Sequence, residues 1–343
     1  MNRKVIIIFF VLLSAFLTSC GNEEYTGGFD EPMDVNIITS EENIKTIDLD
    51  TVEATFTLED ILDEPAEEAL LMGKFGEVRA IEGGYFQNSG QSIDYITEEN
   101  EKVEDIVGII IEPPSLSITK AYYHMKEEME KGKVMFLLLD GFGYHQYEYA
   151  KEKGYIPFLE NQEALKALGV YKPVTNAGLG AIITGKTPEE NGVYSREQRE
   201  LRTDSIFKIA LDSGKNTKYI EGNIGILNTE IQPILNLDEN KNGYTDDEVF
   251  ASILKAIEEN TSFIFGHFHG IDDANHRYGP LSEVAMERVK TIDTYIEEIA
   301  NRWDGTIIIS ADHGAHTTED GGDHGEFRYE DLIVPYIIIN RGN

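Results

Sequence analysis

The chain has one cysteine, Cys20, in 343 residues, and one tryptophan. A single thiol cannot close an intrachain disulfide, so the fold must rest on burial and hydrogen bonding, and Cys20 needs another role. Positive charge is also scarce, with 29 Lys and Arg against 63 Asp and Glu and a formal net charge of −34. Nucleic acid and anionic membrane surfaces are both recognised through basic patches, so this balance argues against either as a surface partner. Most of the carboxylates read as a solvated acidic surface. No long apolar run is present either. The best candidate, Val5–Leu17, is shorter than the ~20 residues a membrane span requires. Preceded by Arg3 and Lys4, it reads as the apolar region of a secretory signal peptide.

The end of that run gives the cysteine its role. Leu17-Thr18-Ser19-Cys20 resembles the lipobox of bacterial lipoproteins, which implies lipidation at Cys20 and an extracytoplasmic, membrane-anchored protein. Residues 1–20 are then the signal peptide. Residues 21–40 are polar and rich in Gly and Glu, and read as a flexible tether. Residues 41–117 carry short alternating segments and a strand at Ile106–Ile111, the pattern of a small α+β accessory domain.

From residue 118 to 343 the character changes. A polar helix at Lys120–Lys131 opens a series in which apolar runs alternate with helical stretches. The runs are Val134–Leu139, Thr217–Ile220, Ser262–Phe268, Thr306–Ser310 and Val334–Ile339. Leu281–Asn301 places Ala285, Val289, Ile292, Ile296 and Ile299 on one helical face. Continuous apolar strands separated by helices predict an α/β fold, a mostly parallel sheet with helices on both faces. Ligands in such sheets collect at the carboxyl ends of the strands.

Those ends are where the chemistry-bearing residues fall. Asp140 follows the first run, Asp272 and His276 follow the third, and Asp312-His313 follows the fourth. His324 lies in a glycine-rich loop before the last. Singly, such residues are ordinary caps or turns. Jointly, carboxylates and imidazoles from several strands suit hard-to-borderline divalent ions. Thr175 is a further candidate, at the predicted start of a helix whose free N–H groups favour an anion. It reads either as a plain N-cap or as a nucleophile, and both roles can coexist.

The set Asp140, Thr175, Asp272, His276, Asp312, His313 and His324 resembles the alkaline phosphatase superfamily, and within it the nucleotide pyrophosphatase/phosphodiesterase branch. The resemblance is carried by Asp140-Gly-Phe, by Thr175 with Thr184-Gly185 and Thr187-Pro188 downstream, by His276-Arg-Tyr-Gly-Pro280, and by Ser310-Ala-Asp312-His313-Gly314. It implies an alkaline-phosphatase-like core with two divalent ions, zinc or manganese. One ion would be held by Asp140, Thr175, Asp312 and His313, the other by Asp272, His276 and His324. It also implies hydrolysis of a small-molecule or headgroup phosphate ester through a phospho-threonine intermediate. Asp272 is preferred to its neighbour Asp273 because it keeps the four-residue step to His276.

The region after the nucleophile departs from that branch. Asn176 directly follows Thr175, and Gly192–Arg196 stands where the branch places a phosphate-contacting Asn, leaving Asn176, Tyr194 and Arg196 as candidate substrate contacts. Asp238–Glu248 resembles a calcium loop, except that Val249 occupies the twelfth position and Glu248 falls one residue early. It reads as a structural calcium site or as an acidic turn. His267 and His269 alternate before Asp272, a spacing that points both toward one sheet face; His269 and His316, three residues past His313, are candidates to support the ligands, and His267 reads equally as packed against its neighbours. The competing functions are a phosphomonoesterase of the same superfamily and a non-catalytic, ligand-binding surface lipoprotein. A sulfatase is disfavoured because Thr175 cannot mature to formylglycine.

Overall fold

The computed structural model describes residues 34–340; Cys20, the signal peptide and most of the expected tether lie outside the described residues. The first part consists of β1 (Val35–Ile38), β2 (Asn43–Ile47), β3 (Thr55–Phe56), α1 (Leu58–Ile61), β4 (Ala69–Gly73), β5 (Val78–Ala80), β6 (Tyr85–Asn88), β7 (Ile93–Ile96), β8 (Lys102–Val103) and β9 (Ile106–Ile111). They form a five-stranded sheet in the order β2-β1-β9-β4-β5 and a four-stranded sheet in the order β3-β6-β7-β8. Val35, Leu71, Phe86, Tyr95 and Ile109 belong to the core they share.

Two expectations change here. Residues 35–38, expected within the tether, are a strand with Val35, Ile37 and Ile38 fully buried. Burial of each such side chain is worth ~1.5–3 kcal/mol, enough to hold so short a segment in the sheet. The accessory region is also nearly all β, since its one helix is a single turn capped by Thr57 and Asp60.

The larger part runs through β10 (Leu116–Ser117), α2 (Lys120–Lys131), β11 (Val134–Leu139), α3 (Tyr144–Glu152), β12 (Ala164–Leu168), α4 (Thr175–Thr184), α5 (Pro188–Asn191) and α6 (Ile206–Asp212). It continues with β13 (Thr217–Glu221), β14 (Ile234–Leu235), α7 (Asp246–Glu258), β15 (Phe263–Phe268), α8 (Gly270–Tyr278) and α9 (Glu283–Arg302). It ends with β16 (Thr306–Ser310), β17 (His316–Thr318), β18 (Gly321–Asp323), α10 (Tyr329–Leu332) and β19 (Ile333–Asn340).

Eight of these strands make one sheet in the order β10-β12-β19-β16-β11-β15-β13-β14. Neighbours are parallel except β19, which is antiparallel to both β12 and β16. Every residue of β11, β15 and β16 is buried, so helices cover both faces of the centre, as the continuous apolar runs predict. Helices α2, α4 and α6 touch one another, and α9 touches both α7 and α8.

Register fixes where the strands deliver their last residues. Leu138 on β11 lies opposite Ser310 on β16, and Leu139 lies opposite Phe268 on β15. The chain therefore leaves three adjacent strands at one level, and the Asp140 N–H still donates to the Phe268 carbonyl at 3.0 Å. The two parts of the chain meet through a small apolar cluster in which Ile38, Met72, Val107 and Ile110 pack with Leu168, Phe327, Leu332 and Ile333.

Candidate metal centre

Sharp backbone turns let the strand ends converge. After β11, Gly141 adopts φ +70°, and a Cβ there would stand 2.7 Å from Asp272 Oδ1, so the turn requires glycine both for its angle and for its closeness to α8. Asp272 lies in the first turn of α8 and His276 one turn later, on one helical face. The ribbon β17–β18 folds back so that His324 returns to the same edge.

All seven expected residues arrive there. In one group, His313 Nε2 lies 3.4 Å from Asp140 Oδ1, 3.5 Å from Asp312 Oδ2 and 3.4 Å from Thr175 Oγ1. In the other, Asp272 Oδ2 lies 3.3 Å from His276 Nε2, and Asp272 Oδ1 lies 3.8 Å from His324 Nε2. The His313 and His324 rings stack with centroids 3.7 Å apart, so the two groups adjoin. Asp273 instead faces Arg277 at 3.8 Å, so Asp272 is the one of the two neighbouring aspartates that lies against His276 and His324.

The hydrogen bonding is arranged around cations. His313 Nδ1 bonds the Gly314 carbonyl at 2.9 Å, His276 Nδ1 the Gly322 carbonyl at 3.2 Å, and His324 Nδ1 the Pro173 carbonyl at 2.8 Å. A carbonyl only accepts, so in all three rings Nδ1 carries a proton and Nε2 is turned inward, that of His324 accepting from Arg196. Three carboxylate oxygens, Asp140 Oδ1, Asp272 Oδ1 and Asp312 Oδ2, are sealed from solvent without a hydrogen-bond partner. Burial and the nearby Asp140 push the Asp312 carboxyl up to about 7. Burial, together with His313, brings the His324 ring down to about 3. Orphaned buried carboxylates beside inward-turned imidazole nitrogens are a donor set that fits divalent ions.

Thr175 is the first residue of α4, with Val174 in the cap position. The N-cap reading of the threonine thus gives way to one in which its hydroxyl faces His313. Of the three candidate substrate contacts, only Arg196 has a hydrogen bond to the cluster, with Nη2 2.6 Å from His324 Nε2. Asn176 donates its amide to the Gln198 carbonyl at 2.9 Å, and Tyr194 packs edge-on against Phe75 of the N-terminal part. Both shape the segment that carries Arg196.

His267 and His269 do share a face, and both reach Asp140 Oδ2, at 3.2 and 3.0 Å. Their other nitrogens meet Glu221 Oε2, each at 2.9 Å. Asp246 accepts the N–H groups of His269 and Gly270 and pairs with Arg288 at 3.1 Å, which pins the turn into α8. Sequence reasoning missed Glu221, although it ends the run at Thr217–Ile220 as the other acids end theirs. His316 binds Asp331 at 2.8 Å, away from the cluster.

The loop read as a structural calcium site or an acidic turn is held by its own side chains. Asp238 accepts the N–H groups of Asn242 and Gly243, Asn240 and Asn242 bond Asp247, and Glu248 accepts the Glu239 N–H.

Residues 227–336 match the family model of type I phosphodiesterase / nucleotide pyrophosphatase. The resemblance read from the sequence is thus borne out over a segment containing Asp272, His276, Asp312, His313 and His324. The chain is 26% identical over 98 residues to GPI ethanolamine phosphate transferase 1 of Neurospora crassa, and 27% identical over 108 residues to that of Emericella nidulans. These matches cover 26% and 28% of this chain, and the chain spans only 10% and 11% of those relatives. Among solved structures, phosphonoacetate hydrolase from Sinorhizobium meliloti bound to phosphonoformate is 19% identical, with TM-score 0.43, covering 54% of this chain and 57% of that one. Inactive murine ectonucleotide pyrophosphatase / phosphodiesterase 5 bound to AMP is 18% identical, with TM-score 0.44, covering 55% and 58%.

Proposed function

We propose that the chain is an extracytoplasmic, lipid-anchored phosphodiesterase or pyrophosphatase that hydrolyses phosphate esters with Thr175 as nucleophile. The observation that carries this reading is the convergence of three unpartnered carboxylate oxygens and three inward Nε2 atoms beside the Thr175 hydroxyl. Asp140, Thr175, Asp312 and His313 would hold one divalent ion, and Asp272, His276 and His324 the other. Bound there, the pair would supply charge neutralisation and a lowered pKa for the hydroxyl. Their donor mixture suits zinc and admits manganese.

The chain's own residues set the geometry. Thr175 Oγ1 forms the bond to phosphorus as the ester P–O bond breaks, and water later cleaves the phospho-threonine to restore the hydroxyl. α4 begins at Thr175, so its first-turn N–H groups lie where negative charge develops. Arg196 brings a guanidinium beside His324, placed to pair with a non-bridging oxygen. A headgroup or nucleotide diester meets these features, and the anchor at Cys20 would put the reaction outside the cytoplasm.

Turnover of bis-p-nitrophenyl phosphate and p-nitrophenyl phosphate by the full chain in detergent, with zinc, manganese or EDTA, tests the reading. Faster metal-dependent turnover of the diester is expected; faster monoester turnover would favour a phosphomonoesterase. If folded, metal-loaded protein turns over neither, the hydrolase reading fails. Thr175→Ala should lower turnover by ~10³-fold or more while metal content stays near that of the parent.

A further inference from the structure

Beside the two groups already described lies a largely buried set of donors that shares Asp140 with the first and adds His267 and His269. Asp140 faces the first group with Oδ1 and faces away from it with Oδ2, where His267 Nε2 and His269 Nδ1 lie at 3.2 and 3.0 Å. These separations match those within the first two groups. They are also close to the ~3.4 Å edge of a tetrahedron of donors around an ion with bonds of ~2.1 Å. We propose that Asp140 Oδ2, His267 Nε2 and His269 Nδ1 form a third cation site that takes one borderline divalent ion of the zinc class.

The surroundings are built for such an ion. Two imidazoles and one carboxylate form a donor set that suits zinc, iron(II) or manganese. Each ring presents its remaining nitrogen to a single carboxylate oxygen, Glu221 Oε2, at 2.9 Å. A second carboxylate accepting the distal N–H of a metal-bound imidazole is the usual means of fixing its tautomer and orientation. Glu221 is itself fully buried, and its other oxygen accepts the Tyr219 hydroxyl. Asp246 holds the His269 N–H at 3.1 Å, which places that ring.

The two ring centroids lie 3.8 Å apart, and Nδ1 of His267, though close to Glu221, is sealed from solvent without a hydrogen-bond partner. A single divalent ion bound by both rings would hold them side by side against Asp140. Asp140 would then link the third ion to the first, and this part of the proposal rests on the reading of Asp140 as a ligand of the dimetal centre.

Metal counting decides it. The full chain in detergent is stripped with a chelator, reloaded with zinc, freed of excess and assayed by inductively coupled plasma mass spectrometry. Three zinc ions per chain are expected, falling to two in His269→Ala and, independently, to two in His276→Ala. A wild-type count of two that falls to one in His276→Ala overturns the third site and leaves the dimetal centre standing. A wild-type count of zero overturns both. Circular dichroism checks that the variants fold, and if His269→Ala does not, the wild-type count still decides.

Discussion

Gly178 lies in the first turn of α4, and a Cβ there would stand 2.3 Å from the Asp312 carbonyl oxygen and 2.7 Å from Asp312 Cβ. Backbone of this kind cannot yield as a flexible side chain would, so Gly178→Ala should move Thr175 and Asp312 apart. Displacements on the order of 1 Å cost ~100-fold in rate, and a comparable fall in diester turnover is expected. His145 makes a different prediction. Its Nδ1 is sealed without a partner, and burial pulls the ring down to about 4 from the usual 6.5. The folded state therefore binds fewer protons than the unfolded one between those values, so stability is fully present above pH 6.5 and is lost as pH falls toward 4. Discounted for the ring's partial exposure, the loss is ~2 kcal/mol, and His145→Phe should flatten that limb of a pH series of urea melts. At this scale the sequence was most informative where chemistry and position coincide. Asp140 and Asp312 were legible because they end apolar runs. Glu221 was not, because a lone Glu after a strand is usually a surface residue, and only the fold brings two imidazoles onto it.

Among the elements, α8 and the turn after β11 are tied by amides. Asn275 Nδ2 donates to the Gly141 carbonyl at 2.9 Å, and Gln146 Nε2 donates to Asn275 Oδ1 at 2.9 Å. Asn275→Ala leaves the Gly141 carbonyl without this partner in a dry setting and Gln146 Nε2 with only the Pro280 carbonyl. It should cost ~1–3 kcal/mol in denaturant unfolding, and it should weaken zinc binding because Asp272 and His276 ride on the same helix. Helix α2 and strand β11 fall where the residue patterns put them, since a clean apolar period identifies each. Strand β12 escapes that reading because Leu165 is half exposed and the segment has no sustained run. The antiparallel direction of β19 was equally hidden, because an apolar run carries no sign of its orientation. The two-residue strands β10 and β14 are too short for any period to register.

For the whole molecule, the joint between the parts is narrow but specific. A Cβ on Gly108 would fall 2.1 Å from the Phe327 ring, so Gly108→Val should lower the melting temperature by several degrees, read by calorimetry. The parent should melt in one transition, because residues 32–343 form one compact unit. Chelation should lower that transition by on the order of 5 °C or more, since ions that bind only the folded chain stabilise it by mass action and their loss leaves buried carboxylates facing one another.

The position of β19 in the sheet also dictates an order of events during synthesis. It is the last strand of the described residues, yet it lies between β12 and β16, and β12, with β10 at the edge beyond it, joins the sheet only through β19. His324 arrives only a few residues ahead of it. A chain emerging from a ribosome or a translocon therefore carries an unfilled slot beside β16 until β19 is free. Any ion the cluster holds would be captured only after that, in whatever compartment completes the fold.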